Sequence, residues 1–186
     1  MFLSSCNCAT YGIQSALRFG KANQYINRQE MSSSKQSSSN VLVIESNFYR
    51  NISEISLSAT KEMLRSLGIT FDHISVPGSF DIANAMNIAL ENVNYDGVVV
   101  LGCVIRGETF HFELVSHESA RSINEVAIHY SMPLGFGIIT VDNMQQAEAR
   151  AADYAKRAVM ACIQLMGIKS EFTSVESGEA ETPPHN

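Results

Sequence analysis

The sequence has no tryptophan, and no apolar run approaches the roughly 18 residues needed to cross a bilayer. Basic residues are also scarce, with 13 Lys and Arg against 19 Asp and Glu, and the formal charge at pH 7 is −6. Proteins that bind nucleic acids or anionic membranes broadly need a basic face, so neither function is favoured. An anionic ligand would have to be captured by individual arginines or by backbone N–H groups.

Cysteine is rare as well, with four residues at positions 6, 8, 103 and 162. Their spacing offers neither a framework of disulfides nor the doubled C-x-x-C pattern of a zinc site, and the five histidines form no metal-ligand spacing. The N-terminus lacks a charged segment followed by an apolar stretch and a cleavage site. We therefore expect a soluble protein of the reducing cytoplasm with no bound metal.

The two ends of the chain differ from its middle. Residues 1–40 show no sustained periodicity and close in a serine-rich run, so we expect a disordered leader, with Met31 as an alternative translation start. Residues 170–186 contain four glutamates, two prolines and no regular period, which indicates a disordered acidic tail. A single folded domain is predicted over residues 41–169.

Within that domain, strand-like and helix-like segments alternate four times. Apolar strand-like runs at 41–44, 69–76, 97–102 and 135–141 are each followed by apolar residues spaced three or four apart. Right-handed crossovers place such helices on the faces of a parallel sheet, so the order predicts an α/β fold, a three-layer αβα arrangement with a four-stranded parallel sheet. Ligands bind these sheets at the carboxyl ends of the strands, which makes the loops there candidate sites.

The loop at residues 102–111 is the richest in functional groups. Gly107 allows close approach of the backbone to an anion, and Glu108 and Thr109 lie beside N–H groups at a predicted helix start. A P-loop would need Lys and then Ser or Thr after this glycine, and no G-x-G-x-x-G follows a strand, so nucleotide triphosphatase and Rossmann functions are not supported. His111, at the rim of the loop, is a candidate for proton transfer near neutral pH.

Three further candidates have ordinary explanations beside the functional ones. Phe48 follows the first strand in a polar loop, where stacking on a planar ligand and packing in the core are both open. The segment 79–81 offers a hydroxyl, an aromatic ring and a carboxylate, but a helix N-cap with an acidic first turn explains it more simply. Arg150 lies on the last helix, where a solvent-exposed position is the ordinary explanation.

Three motifs taken together resemble those of one enzyme family. They are VPGSFDI at 76–82, GCVIRGETFHF at 102–112, and GIITVDN followed by QAEAR within 137–150. In this order and at these spacings, over about residues 41–168, they resemble 6,7-dimethyl-8-ribityllumazine synthase. The resemblance implies a flavodoxin-like fold and a transferase of riboflavin biosynthesis. The implied reaction condenses 5-amino-6-(D-ribitylamino)uracil with 3,4-dihydroxy-2-butanone 4-phosphate and releases phosphate and water, without a metal or organic cofactor.

The resemblance also implies roles for single residues. His111 falls at the family's proton-transfer position. Substrate binding is implied for Phe48, Ser79, Phe80, Asp81, Cys103, Val104 and Ile105 around the pyrimidine and its ribityl chain, and for Glu108, Thr109 and Arg150 around the phosphate. Phe136 matches a residue that closes the pyrimidine site from a neighbouring subunit. A homo-oligomer, either a pentamer or a pentamer-based assembly with sites at the subunit interfaces, is therefore implied.

The sequence departs from the family pattern at two places. Asp81 stands where the family commonly has Glu, and the stretch after Arg150 lacks the usual Asn-Lys-Gly loop, for which Lys156 is a candidate substitute. The second departure motivates an alternative function, a catalytically weak protein of the same fold that binds a lumazine or a flavin. Formation of lumazine from the two substrates distinguishes the enzyme from the binding protein.

Overall fold

The computed structural model describes residues 39–176 and shows the predicted alternation of strands and helices. In chain order the elements are β1 (Asn40–Ser46), α1 (Arg50–Ser66), β2 (Thr70–Val76), a short 3-10 helix (Ser79–Asp81), α2 (Ile82–Asn92), β3 (Gly97–Ile105), α3 (His111–His129), β4 (Leu134–Val141) and α4 (Met144–Glu176). The predicted leader, apart from its last two residues, and the last ten residues of the predicted tail lie outside the described part of the chain.

The four strands form one parallel sheet in the order β2-β1-β3-β4. Ile44 in the middle of β1 pairs with Ile74 of β2 on one side and with Val100 of β3 on the other. The strand order reverses between β1 and β3, and in open α/β sheets this reversal opens a crevice at the carboxyl ends of the two strands. The fold class predicted from the sequence, including its flavodoxin-like strand order, is confirmed.

The sheet is buried on both faces because its strands are rich in Val, Ile and Leu rather than alternating with polar residues. Leu42 and Ile44 face a core formed with α2 and α3. Val41 and Val43 point the other way, into a core formed with α1 and α4. Two apolar layers therefore hold the helices against the sheet and fix where the strand ends and their loops lie.

Helix α4 is longer than its apolar period predicts. That pattern ends at Met166 with a possible break near Ala152, but α4 runs unbroken to Glu176, and so includes the first seven residues of the predicted tail. Phe172, beyond the core, is 73% exposed, so burial does not explain this extension. The next prolines are at 183 and 184, so no helix breaker of that kind interrupts the segment.

Within residues 39–176, none of the helices has the length and apolar character required to span a membrane.

Candidate active site

A pocket of about 490 Å³ lies where β1 and β3 end and α3 begins. Its size falls within the range of small-molecule sites in proteins. Eight of the twelve residues predicted for the site line it, namely Phe48, Ser79, Phe80, Cys103, Val104, Ile105, Thr109 and His111. The loops after three different strands thus meet at one place because the strands are parallel and end at the same edge.

Aromatic rings form the entrance of this pocket. Phe48 follows β1 and is 69% exposed, and its ring lies edge-on to that of Tyr49 with centroids 5.0 Å apart. Phe80, on the neighbouring turn, is also exposed. An exposed ring at a concave site offers a flat surface for a planar ligand, because stacking there removes apolar area from water.

The turn before α2 is closed by its own carboxylate. The backbone N–H of Gly78 donates a hydrogen bond of 2.9 Å to Asp81 Oδ2, and the Asp81 N–H donates to the Gly78 carbonyl at 3.1 Å. Asp81 is not among the residues that line the pocket. In this chain the carboxylate therefore shapes the turn that presents Phe80, and its predicted contact with substrate stays a prediction.

Ser79 turns its hydroxyl toward the sheet. A Cβ atom on Gly102 would lie 2.8 Å from Ser79 Oγ, so this glycine leaves the room that the serine occupies. The hydroxyl is buried and finds no hydrogen-bond partner among residues 39–176. Ser79 therefore borders the pocket as a tightly packed, buried part of its wall.

Arg106 fixes both ends of the loop at residues 106–111. Its Nη1 lies 2.6 Å from Glu113 Oε1 in the first turn of α3, and its Nε lies 3.1 Å from Asp142 Oδ1 after β4. The guanidinium carbon also lies 4.2 Å from the centre of the Phe112 ring. The hydrogen bonds to Glu113 and Asp142 raise the pKa of Arg106, and the bond from Arg106 lowers the pKa of Glu113.

Cys103 lies at the floor of the pocket, but its thiol is not an activated nucleophile. Burial raises the pKa of Cys103 to about 11. A thiol acts as a nucleophile or a metal ligand only as the thiolate, so this residue is unreactive near neutral pH. Among residues 39–176, no group of three or more His, Cys, Asp or Glu residues is arranged to hold a metal ion.

Four predicted site residues do not line the pocket of their own chain: Asp81, Glu108, Phe136 and Arg150. Phe136 lies on β4, between two glycines that face α4, so its partly exposed ring points to the other face of this edge strand. Glu108 is exposed on the loop beside the pocket.

Arg150 lies on the flank of α4 that is turned away from α1. Glu148 of α4 reaches Asn51 of α1, and Ala152 and Lys156 border a shallow groove between the two helices. Two residues correspond to about 200° of helix rotation, so Arg150 lies nearly opposite Glu148, beyond the β4 edge of the sheet. Its guanidinium donates a hydrogen bond of 3.1 Å to the carbonyl of Gln146 in the same helix.

Lys156 is also remote from the pocket. It borders the groove between α1 and α4 together with Glu54 and Glu62. Within one chain it therefore does not reach the pocket.

Five residues of the pocket were not predicted: Tyr49, Gly78, Phe112, Leu114 and Val115; Gly107, which also lines it, was expected on the anion-binding loop. Phe112 and Val115 belong to the helix face that the spacing assigns to the core, and both do pack partly against it. The same face continues past the edge of the sheet and becomes one wall of the pocket. Adjacency to Phe48 is the sequence signal that could have pointed to Tyr49, and membership of the motif at 102–112 is the signal that could have pointed to Phe112.

Known proteins resemble this chain over the region that builds the pocket. The model of the 6,7-dimethyl-8-ribityllumazine synthase family matches residues 38–170. A protein of that name from Bartonella henselae is 39% identical over 141 residues, which are 73% of this chain and 91% of the relative. One from Afipia carboxidovorans is 43% identical over 71% of this chain and 86% of the relative, and one from Agrobacterium fabrum is 40% identical over 67% and 93%. With a family match over most of its length, the chain belongs to the 6,7-dimethyl-8-ribityllumazine synthase family.

Proposed function

We propose that the pocket at the ends of β1 and β3 is the active site for the reaction of this family. As a family member the chain is a transferase of riboflavin biosynthesis that forms 6,7-dimethyl-8-ribityllumazine. The substrates are 5-amino-6-(D-ribitylamino)uracil and 3,4-dihydroxy-2-butanone 4-phosphate. The observation that carries the site is the meeting of Phe48, His111 and the loop at 106–111 around one cavity.

The pyrimidine substrate would bind at the entrance and along the floor of the pocket. Phe48 offers an exposed face for stacking, and Phe80 offers a second aromatic surface. Residues 103–105 form the floor at the end of β3, where the strand still pairs with β4 but its pairing with β1 has ended at Leu101, so backbone groups on the β1 side can pair with ring nitrogens and carbonyls. Asp81 would contribute to the ribityl end of the site, either directly or by holding its turn.

The phosphate would bind where the loop at 106–111 leads into α3. Gly107 has free space around its Cα, Thr109 contributes a hydroxyl, and α3 presents the N–H groups of its first turn. The partial positive charge of a helix N-terminus favours an anion there. Glu108 would take part through its backbone rather than through its carboxylate, because two negative charges repel.

The reaction requires several proton transfers but no covalent intermediate with the enzyme. The amine condenses with the ketone to form an imine, phosphate leaves, and a second carbonyl closes the ring with loss of water. His111 would carry protons between these steps, which typically contributes about 10²- to 10⁴-fold in rate. Holding the two substrates in reacting geometry contributes more, up to roughly 7 to 11 kcal/mol in favourable cases.

We further propose that the active protein is a homo-oligomer, a pentamer or a pentamer-based assembly, in the cytoplasm. Phe136 and Arg150 lie at the β4 edge, outside their own pocket, where they could complete the pocket of a neighbouring copy. The large apolar side chains of Phe110 and Ile128 on the α3 side are also exposed, and a second copy would cover them.

The alternative, a catalytically weak protein that binds a lumazine or a flavin, is not favoured. Its motivation was the altered segment after Arg150, but the match to the synthase family model runs through this segment to residue 170. The residues around the cavity also include the proton-transfer candidate, which a binding protein would not need.

Lumazine absorbance after mixing the two substrates tests the proposed function, with the mass in solution measured by light scattering. We expect product formation well above the spontaneous rate and a mass of at least five chains. His111→Ala should mainly lower kcat, and Arg150→Ala should mainly raise KM for the butanone phosphate. If sites are shared, co-assembling these two inactive or weak variants should restore part of the activity. Turnover by a lone chain at the full rate would contradict the shared site.

A further inference from the structure

We propose that Arg106 is a positioning residue. It holds the loop at 106–111, where the phosphate of its own pocket would bind, and the first turns of α4 in one fixed arrangement. The inference rests on the function proposed above, because it concerns how the phosphate-binding groups of that site are held. Arg106 does not itself line the pocket. Its effect on the reaction would therefore pass through the groups that it holds.

The first part of the argument concerns the loop at 106–111. At one end of the loop, the backbone N–H of Arg106 donates 2.8 Å to the Val141 carbonyl, which anchors it to β4. Its side chain reaches the other end, where it contacts Glu113 and covers the Phe112 ring. One residue thus spans the loop that carries Thr109 and His111 and sets the distance between its two ends.

The second part concerns a chain of hydrogen bonds that leads from Arg106 into α4. Arg106 Nε donates to Asp142 Oδ1 at 3.1 Å, and the backbone N–H of Asp142 donates to Gln146 Oε1 at 3.0 Å. The carbonyl of the same Gln146 accepts the bond from Arg150 Nη1 at 3.1 Å. The Arg106 guanidinium therefore connects the loop at 106–111 to the first turn of α4, which orients Arg150.

A guanidinium is suited to this task, and an ammonium is not. The planar fork of Arg106 reaches two carboxylates on different elements at once while its face rests on the Phe112 ring. A lysine is a single point charge without the fork, so it would keep one carboxylate contact at most. Each pair is exposed and weak as a single stabilising contact. The consequence of losing them should therefore appear in the geometry of the loop more than in the stability of the fold.

Steady-state kinetics of Arg106→Ala in the assembled protein test this inference. Misplacing the loop should raise KM for the butanone phosphate and lower kcat, with a combined loss in kcat/KM of up to about 100-fold. KM for the pyrimidine should change little, because Phe48 and residues 103–105 do not depend on Arg106. Arg106→Lys should recover only part of the loss.

Arg121→Ala is the matched control. Arg121 lies on α3, is similarly exposed and also contacts two carboxylates, those of Glu118 and Glu125, but both are on its own helix, so it joins no two elements and, like Arg106, does not line the pocket. Removing it should leave kcat and both KM values unchanged. Equal kinetics for the Arg106 and Arg121 variants would overturn the inference, and so would an equal loss for both substrates accompanied by a lower melting temperature.

If Arg106→Ala fails to assemble, two isosteric variants test its contacts with Glu113 and Asp142 one at a time. Glu113→Gln weakens the contact with α3 and should mainly lower kcat through His111, whereas Asp142→Asn weakens the contact with α4 and should mainly raise KM for the phosphate substrate. Wild-type kinetics in both variants would contradict the proposed role.

Binding of inorganic phosphate, measured by calorimetry, decides the inference independently of turnover. Arg106→Ala should bind phosphate at least several-fold more weakly than Arg121→Ala. If the wild-type protein forms no lumazine, the proposed function fails, but this comparison still stands. Equal phosphate affinity in the two variants, or no phosphate binding to the wild type, would overturn the role of Arg106.

Discussion

The carboxylate of Asp81 accepts the backbone N–H of Gly78 at 2.9 Å and so closes the turn that carries Ser79 and Phe80 to the pocket. A Cβ atom on Gly78 would lie 3.3 Å from the same oxygen, so the turn leaves little room there. Asp81, whose motif predicts a contact with substrate, thus makes a structural hydrogen bond within its own chain.

Replacing Asp81 should separate these two roles. Asp81→Ala removes the acceptor of the Gly78 N–H, and we expect a loss of about 1 kcal/mol in the free energy of unfolding, as for other caps of this kind. KM for the pyrimidine should rise because Phe80 loses its fixed position. Asp81→Asn keeps an acceptor oxygen and should retain most of the stability. If Asn retains the stability but not the affinity for the pyrimidine, the carboxylate contacts the ribityl chain directly.

The contact between β4 and α4 leaves no space for a side chain at Gly135. A Cβ atom there would lie 2.1 Å from the carbonyl oxygen of Ala158, a backbone atom that cannot rotate away. We expect Gly135→Ala to cost about 3 kcal/mol or more in the free energy of unfolding, at the upper end of overpacking effects. Urea unfolding measures this cost.

Gly167→Ala is the control for that substitution, because a Cβ atom at Gly167 would meet nothing within 4 Å and the residue lies inside α4. This variant should be stabilised by up to about 1 kcal/mol through higher helix propensity. A comparable loss of stability in both variants would contradict the close approach of α4 to β4.

Acid should destabilise the fold partly through Glu45. This buried carboxylate accepts the hydroxyl of Ser53 and lies 3.4 Å from His73 Nε2. Burial by itself raises the pKa of Glu45, but the close contact with His73, the hydrogen bond from Ser53 and the charge of His73 outweigh it, so the pKa lies below its usual value of 4.5. Because the folded state binds the proton less tightly than the unfolded state, Glu45 stabilises the fold above about pH 4.5, and this contribution is lost as the pH falls further.

Unfolding free energies of the wild type and of Glu45→Gln, measured from neutral to acidic pH, test this expectation. The variant should be less stable near neutral pH and should lose less stability on acidification. Glu54→Gln is the control, because Glu54 is exposed on α1 and its ion pair is with Arg50, across one helical turn. Identical pH profiles for Glu45→Gln and Glu54→Gln would contradict the role of the buried carboxylate.

Cys103 should resist alkylation although it borders the pocket. With a pKa of about 11, about one thiol in a thousand is ionised at pH 8, and the side chain is only 7% exposed. Iodoacetamide should therefore leave Cys103 unmodified in the native protein, as followed by peptide mass spectrometry, and turnover should be unaffected. The same peptide should react readily in urea. Rapid native modification with loss of activity would show an accessible thiolate.

Local patterns were sufficient to predict the fold. The apolar runs that became β1 and β3 are continuous because both faces of a parallel strand are buried, and the helices between them repeat at three or four residues because only one face of each is buried. In α4 the apolar periodicity ends at Met166, before the helix itself ends. Its extension to Glu176 is not buried, so periodicity, which reports burial, could not reveal it.

The candidate site was predicted less completely for a related reason. Motif residues such as Phe80 and His111 follow different strands that end at the same edge of the sheet, so their meeting follows from the parallel order of the strands. Phe112 and Val115 have the pattern of ordinary core residues, and no local feature separates a helix face that covers a sheet from one that continues as the wall of a pocket.

The sequence by itself determined the order of strands and helices, the motifs that identify the family, and the residue types available for chemistry, because these depend on local burial and on side-chain identity. Only the tertiary structure decided that Asp81 binds its own turn, that Ser79 packs its hydroxyl over Gly102, and that Arg150 faces away from the pocket of its own chain. These facts depend on the direction in which each side chain leaves its element and on which neighbour lies there. Strand order, helix packing and loop length determine this direction and this neighbour. No single position of the sequence encodes any of these three features.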